Sequence, residues 1–166
     1  MKIKGIVVPH DEEQPLSINE FEQGDYQAIQ SVVGGTFGVI DILRPAPSSI
    51  FIHDEGKIIG LPLNRRATML LWASDSQWRG YDIVVGDAFV LGQPDEEGDT
   101  MAVPAEVEDL LLHTDEYKIE VQGFGDGGSW SGNALRFKDP FEALNWVLGL
   151  ADRWTAVDQV RIVPAS

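Results

Sequence analysis

The segment DPFEALNWVLGLADRWT, residues 139 to 155, constrains the fold more than any other part of this chain. Asp139 supplies an N-cap, and Pro140 fits the first helical position, where a missing N–H costs nothing. Behind them Phe141, Leu144, Val147, Leu148 and Ala151 recur on one face of a helix. Burying such a stripe contributes about 1.5–3 kcal/mol per large side chain before entropy is subtracted, so an apolar layer must lie against it. The runs that supply that layer are YKIEVQGF, ALRF and QVRIVP, each with the β-branched and aromatic content of a strand. Residues 115–166 therefore read as a ββαβ unit, with GDGGSWSGN as a glycine-rich loop between its first two strands.

The preceding residues alternate strand-like and helix-like patterns. KIKGIVVP is a first strand, followed by a polar stretch, HDEEQPLSINEFEQGD, rich in turn and capping residues. DYQAIQSVVGG sets Tyr26, Ile29, Val32 and Val33 at helical spacing and stops on Gly34 and Gly35. TFGVIDIL is a strand, and SIFIHDEGKIIGLPL reads as a hairpin turning at DEG. NRRATMLLW begins a helix capped by Asn64, and YDIVVGDAFVLG is one bent strand or a hairpin broken at Gly86-Asp87. VPAEVEDLLLH is a helix with Pro104 at its first position. The expected fold class is α+β: a mixed or antiparallel sheet with short helices over residues 1–103, a connector helix over 104–114, and the ββαβ module over 115–166.

Composition excludes several function classes. The 166 residues include no Cys, which removes disulfide scaffolds, zinc ribbons and thiol catalysis. The opening MKIKGIVVPHDEEQ is too briefly apolar for a signal peptide, and no run approaches the roughly 18 apolar residues of a membrane span, so a cytoplasmic location is expected. Acids outnumber bases by 27 to 12, for a net charge of -15. That charge repels phosphates and anionic lipids, so direct binding of nucleic acid or membrane is not expected. The acids are spread along the chain, 16 against seven bases in residues 1–100 and 11 against five in the rest.

The stretches VVGGTFGVI, IFIHDEGKIIGLPLNRRAT and DIVVGDAFVLG, in that order, resemble a family of uncharacterised proteins from phages and actinobacterial and other bacterial genomes. The resemblance spans about residues 1–103, with NRRA and the later Gly-Asp its most specific parts. WSGNALRF through FEALNWVLGLADRWTAVDQVRIV is similar to a C-terminal module of many phage proteins. The resemblance brings no known activity; it implies a phage or mobile-element accessory protein.

Candidate sites are few. Arg65 and Arg66 are the only adjacent basic pair, and with Asn64 at a helix start they could hold a phosphate or carboxylate by bidentate, charge-assisted hydrogen bonds. The competing reading is ion pairing with the chain's own acids, of small energetic consequence. The glycine-rich loop lacks the Gly-Lys-Ser/Thr ending of a phosphate-binding loop, and its Trp130 is either a core anchor or a protein-contact residue. The acidic run Asp95, Glu96, Glu97 and Asp99 lacks the ligand order of a calcium loop and reads as a solvated, protein-contacting surface. His10, His53 and His113 form no metal-ligand spacing, and His53-Asp54-Glu55 reads as a turn. No catalytic residue, metal set or cofactor is assigned.

The expected function is therefore non-enzymatic: binding of a host or phage protein through an acidic surface, in one specific form as a nucleic-acid mimic that occupies a basic groove. The alternative is a small-anion or nucleotide module built on Arg65 and Arg66.

Overall fold

The computed structural model describes residues 1–125 and 127–165; Asp126, within the glycine-rich loop, lies outside the described residues. The fold is α+β, with two antiparallel sheets. Five strands, β1 (Lys2–Val8), β2 (Ser17–Glu22), β3 (Phe37–Ile42), β4 (Ser48–His53) and β5 (Ala88–Gly92), form one sheet in the order β2-β1-β5-β4-β3. The second sheet holds β6 (Tyr117–Gly123), β7 (Ser131–Gly132) and β8 (Val157–Pro164) in the order β7-β6-β8. The helices are α1 (Tyr26–Val33), α2 (Arg65–Ser74), α3 (Ala105–Leu112) and α4 (Pro140–Arg153).

Period-two alternation divides the five-stranded sheet between two cores. Ile3, Phe21, Phe51, Phe89 and Leu91 meet Ile29 and Val33 of α1 on one face. Ile6, Val8, Ile50, Ala88 and Val90 turn to the other face and join a larger cluster that includes Leu71 of α2, Leu110 of α3, Leu144 of α4 and Ile162 of β8. This larger core is continuous across residues 6 to 162, so the segments 1–103 and 115–166 share their interior. Gly5 allows the aromatic packing on the α1 face: a Cβ there would stand 2.5 Å from the Phe89 ring and 2.8 Å from the Val90 carbonyl.

The capped helices start where the sequence places them. Asp139 accepts from the Phe141 amide at 2.8 Å ahead of Pro140, and Asn64 accepts from Ala67 at 2.9 Å. Gly34 ends α1 in the left-handed conformation, φ 89°, where its amide bonds the Gln30 carbonyl.

Five local expectations need correction. The polar stretch 10–25 contains β2, registered from Val7↔Ser17 to Lys2↔Glu22 on β1, because alternation is carried there only by Phe21 and the partly exposed Ile18. SIFIHDEGKIIGLPL is not a hairpin: β4 already pairs with β3 and β5, and the residues after DEG run over the surface with Ile58 86% exposed. In YDIVVGDAFVLG only residues 88–92 are strand, since Gly86 at φ 74° interrupts the run and Val85 makes a single bridge to Leu63. ALRF is not the second strand of the C-terminal unit; that strand is β7, inside the glycine-rich loop, and Phe137 contributes one bridge to Tyr117. Pro104 stands one residue earlier than expected, as the cap of α3.

Candidate functional site

The NRRA element is locked into the fold from three directions. Asn64 is fully buried. Its amide nitrogen donates to the carbonyls of Val8 at 2.7 Å and Gly86 at 2.9 Å, while its oxygen caps α2. Both amide hydrogens are thereby committed to backbone. Arg66 is 7% exposed, and its Nη2 donates to the carbonyls of Pro9 at 2.8 Å, Asp11 at 3.0 Å and Gln14 at 2.8 Å. Its guanidinium also lies 5.8 Å from the centre of the Phe141 ring. Arg65 alone is exposed, paired with Glu12 at 3.0 Å.

These residues converge on the loop between β1 and β2. Asp87, of the Gly-Asp pair, accepts from the His10 backbone amide and contacts the His10 Nδ1, both at 2.9 Å. Asn64, Arg66 and Asp87 thus fasten β1 and its following loop to the start of α2 and β5. The two arginines do not form a common fork: one is spent on carbonyls, and the other faces solvent beside a carboxylate.

His53 is held in its turn, with Nδ1 accepting from the Glu55 amide at 3.0 Å, while Asp54 accepts from the Thr36 hydroxyl at 2.6 Å. In the acidic run, Asp95 accepts from the amides of Glu97 at 2.9 Å and Asp99 at 3.0 Å, shaping a tight tip from which Glu96 and Glu97 project into solvent. Gln23 donates to the Thr100 carbonyl at 2.8 Å, which brings the exposed Glu22 and Asp25 to the same end of the sheet as that tip.

Trp130 is part-buried between two arginines, with Arg161 4.2 Å and Arg44 5.8 Å from the ring centre. Arg161 is oriented by Glu120, 2.8 Å from its Nε. Arg44 donates to Gln159 at 2.6 Å, and Gln159 also accepts from the Ser76 amide at 2.9 Å, tying β8 to the turn after α2. Burial lowers the Arg44 pKa, opposed by the nearby Asp75 and Asp158. Its Nε is buried without a hydrogen-bond acceptor among the described residues.

A concavity opens where no sequence pattern points to one. A cleft of about 660 Å³ opens between α2 and α4, lined by Arg65, Met69, Trp72, Arg79, Ile83, Leu148 and Asp152 among others. Beside it, Ile58 is 86%, Leu63 51% and Tyr81 87% exposed. The loops that carry them are fastened together by the Lys57–Asp82 ion pair and by the Gly86 amide on the Pro62 carbonyl at 2.7 Å. The only signal in the sequence was two apolar residues, Ile58 and Ile59, following a turn with no alternation to bury them.

Among the described residues, one group could offer a metal three ligands: Glu108, Asp109 and His113 have ligand atoms within 4.8 Å of one another. Glu108 is already engaged by Lys4 at 2.9 Å and His113 at 3.0 Å, which lower its pKa by hydrogen bonding and charge, and a cation would have to displace both. No helix of the described residues is long and apolar enough to cross a membrane.

Fold and site together define an α+β protein whose sheet, β1–β2 loop and α2 are fixed by buried side-chain-to-backbone bonds, with an apolar cleft on the α2–α4 face. The chain belongs to the family described as Domain of unknown function (DUF3846), whose model matches residues 1–117. The match takes in the five-stranded sheet and α1 to α3, reaching past the span of about 1–103 expected from the motifs. No curated protein and no solved structure matches the chain.

Proposed function

We propose that this protein acts without catalysis of its own, by binding a basic protein partner at the face formed by the α2–α4 cleft and the two loops beside it. The observation that carries the reading is the pair of mutually fastened loops that hold Ile58, Leu63 and Tyr81 in solvent. Apolar side chains displayed on an anchored scaffold lower the ordering cost of association. Around them stand the exposed carboxylates of Asp54 and Glu55 before the first loop and Asp152 on the cleft wall, together with Arg65, paired with Glu12, and Arg79. That frame favours a partner with basic residues around an apolar contact, and the net charge of -15 accelerates encounter.

In its finer form the reading makes the protein a phage or mobile-element accessory in the host cytoplasm, whose partner is a nucleic-acid-binding protein. The exposed carboxylates of Asp54, Glu55 and Asp152 around that face then stand in for phosphates. The test is affinity capture with the wild type and with Ile58→Ser/Tyr81→Ser, followed by challenge with duplex DNA. A partner that is held by wild type, lost by the variant and displaced by DNA supports both forms. Capture unaffected by the double substitution overturns the proposed face, and a partner that DNA does not displace overturns mimicry.

A further inference from the structure

The five-stranded sheet ends in two open edges of different character. β2 and β3 are its outer strands, each paired on one side only among the described residues. The register of β3 on β4, with Gly38↔Ile52 and Ile40↔Ile50, continues to Thr36 and Asp54, where the Asp54 amide donates to the Thr36 carbonyl at 3.0 Å. Residues directly opposite in an antiparallel pair alternate between those that exchange hydrogen bonds and those that do not. Gly38, Ile40 and Ile42 therefore turn their backbone groups toward β4, and Phe37, Val39 and Asp41 turn theirs outward. Among the described residues no strand, loop or side chain bonds these outward groups.

An open strand edge is a template for a further strand, and proteins guard such edges with lysine, proline or bulges. β3 has six residues and carries none of these. Its one charged side chain, Asp41, is turned over β4, where it accepts from the Ser49 hydroxyl at 3.0 Å. Val39, at the centre, is 48% exposed, and two residues along the same face the Phe37 ring lies 6.1 Å from that of Tyr26, itself 49% exposed. The outward backbone groups thus run beside an apolar strip. β2 instead sets Glu20 and Glu22 along its edge, with Ile18 its one exposed large apolar side chain.

Charge selects what can be added. From Gly5 to Leu43 the chain has seven acids and no Lys or Arg, and the next cation, Arg44, is directed at Gln159 and Trp130. Carboxylates stand at both ends of the strip, Asp41 at one and Asp54, held by the Thr36 hydroxyl, at the other. A second copy of this chain would bring a further net charge of -15 to the edge, whereas a basic segment is attracted to it.

From this we infer that the outer edge of β3 receives, by strand addition, an extended segment of a protein partner in which apolar residues are flanked by lysine or arginine. Its main chain bonds the amides and carbonyls of Phe37, Val39 and Asp41, its apolar side chains cover Val39, Phe37 and Tyr26, and its cations meet Asp41 and Asp54. None of these residues lines the α2–α4 cleft, so the edge is a separate surface from the face proposed above.

The experiment is an NMR titration of the full chain with three synthetic seven-residue peptides. The first alternates threonine and valine with lysine at each end, the second has glutamate at each end instead, and the third is pentaproline with lysine at each end. The lysine–valine–threonine peptide is expected to shift the amides of Phe37, Val39 and Asp41 and protect them from solvent exchange, while Ile18 and Glu20 of β2 stay unperturbed. It should bind about tenfold tighter than the glutamate form, with the difference shrinking as salt is raised. Val39→Pro removes only an outward N–H, which an edge strand tolerates, and should abolish binding. Val39→Lys, at an exposed position, should weaken the lysine peptide about tenfold and keeps the test open if Val39→Pro fails to fold. Absence of saturable perturbation at the three amides, or perturbation of β2 in their place, overturns the edge. Equal affinity for the proline peptide overturns strand addition, and equal affinity for the glutamate form overturns a basic partner. Protection of the same amides by concentration-dependent dimerisation of the chain alone assigns the edge to a second copy and likewise overturns it.

Discussion

Asn64→Ala removes three hydrogen bonds at one buried point, and its cost can be worked from the partners. Loss of the cap on the Ala67 amide costs about 1 kcal/mol. The carbonyls of Val8 and Gly86 lose donors at 2.7 and 2.9 Å in a place where Asn64 has no solvent exposure. Each carbonyl left short of a partner costs about 1–3 kcal/mol. The sum is about 3–7 kcal/mol, a large part of the roughly 5–15 kcal/mol that stabilises a domain. With a urea slope of about 2–3 kcal/mol per molar, the midpoint should fall by about 1–3.5 M. Asn64→Asp separates the two contributions. Asp caps a helix as well as Asn, but here it replaces a donor with an acceptor facing two carbonyls. It should therefore be at least as damaging as Asn64→Ala, measured by urea unfolding under the same conditions. An Asn64→Asp protein within about 0.5 kcal/mol of wild type would show that the residue is only a cap and refute the fastening role.

Further outcomes follow from the same contacts. Gly5→Ala should destabilise by about 1–3 kcal/mol, read by thermal unfolding, because its Cβ would meet Phe89 at 2.5 Å and the Val90 backbone at 2.8 Å. Ile58→Ser/Tyr81→Ser should change stability by no more than about 0.5 kcal/mol per site while abolishing partner capture, since the two side chains are 86% and 87% exposed. Hydrogen bonding lowers the Glu108 pKa and raises that of Lys4. The stability this pair adds is present between the ordinary carboxylate and lysine ranges. It is lost as pH falls through the lowered Glu108 value and as pH rises through the raised Lys4 value. Lys4→Met should accordingly differ from wild type most near neutral pH, with denaturation curves converging toward both extremes; a constant offset at all pH values would contradict the pairing. Trp130→Ala should reduce stability by about 1–2 kcal/mol by removing the ring shared by Arg44 and Arg161, and should broaden the side-chain NMR signals of both arginines.

What could be read locally was read correctly because the physics is local. Asp139-Pro140, Asn64, and Gly34 each meet a backbone requirement within a few residues, so α4, α2 and α1 are present at the expected places. β2 escaped because its partner β1 supplies the register that its own weak alternation does not. KIIG was misread as a strand because its composition fits one; the edges of β4 were already occupied, which only the sheet order reveals.

The candidate site divides in the same way. That Arg65 would pair with one of the chain's own acids followed from composition, and Glu12 is that acid. That Arg66 spends one nitrogen on three carbonyls of a loop more than 50 residues away depends on where the chain returns. So does the meeting of Arg44, Trp130 and Arg161, which are drawn from β3's end, the glycine-rich loop and β8. The sequence by itself determined the α+β class, the capped helices and the acidic surface, since each rests on short-range periodicity or a count of charges. Only the tertiary structure decided which apolar residues stay in solvent, which arginines are consumed by backbone, and where clefts open, because those outcomes arise from contacts between segments that no local pattern encodes.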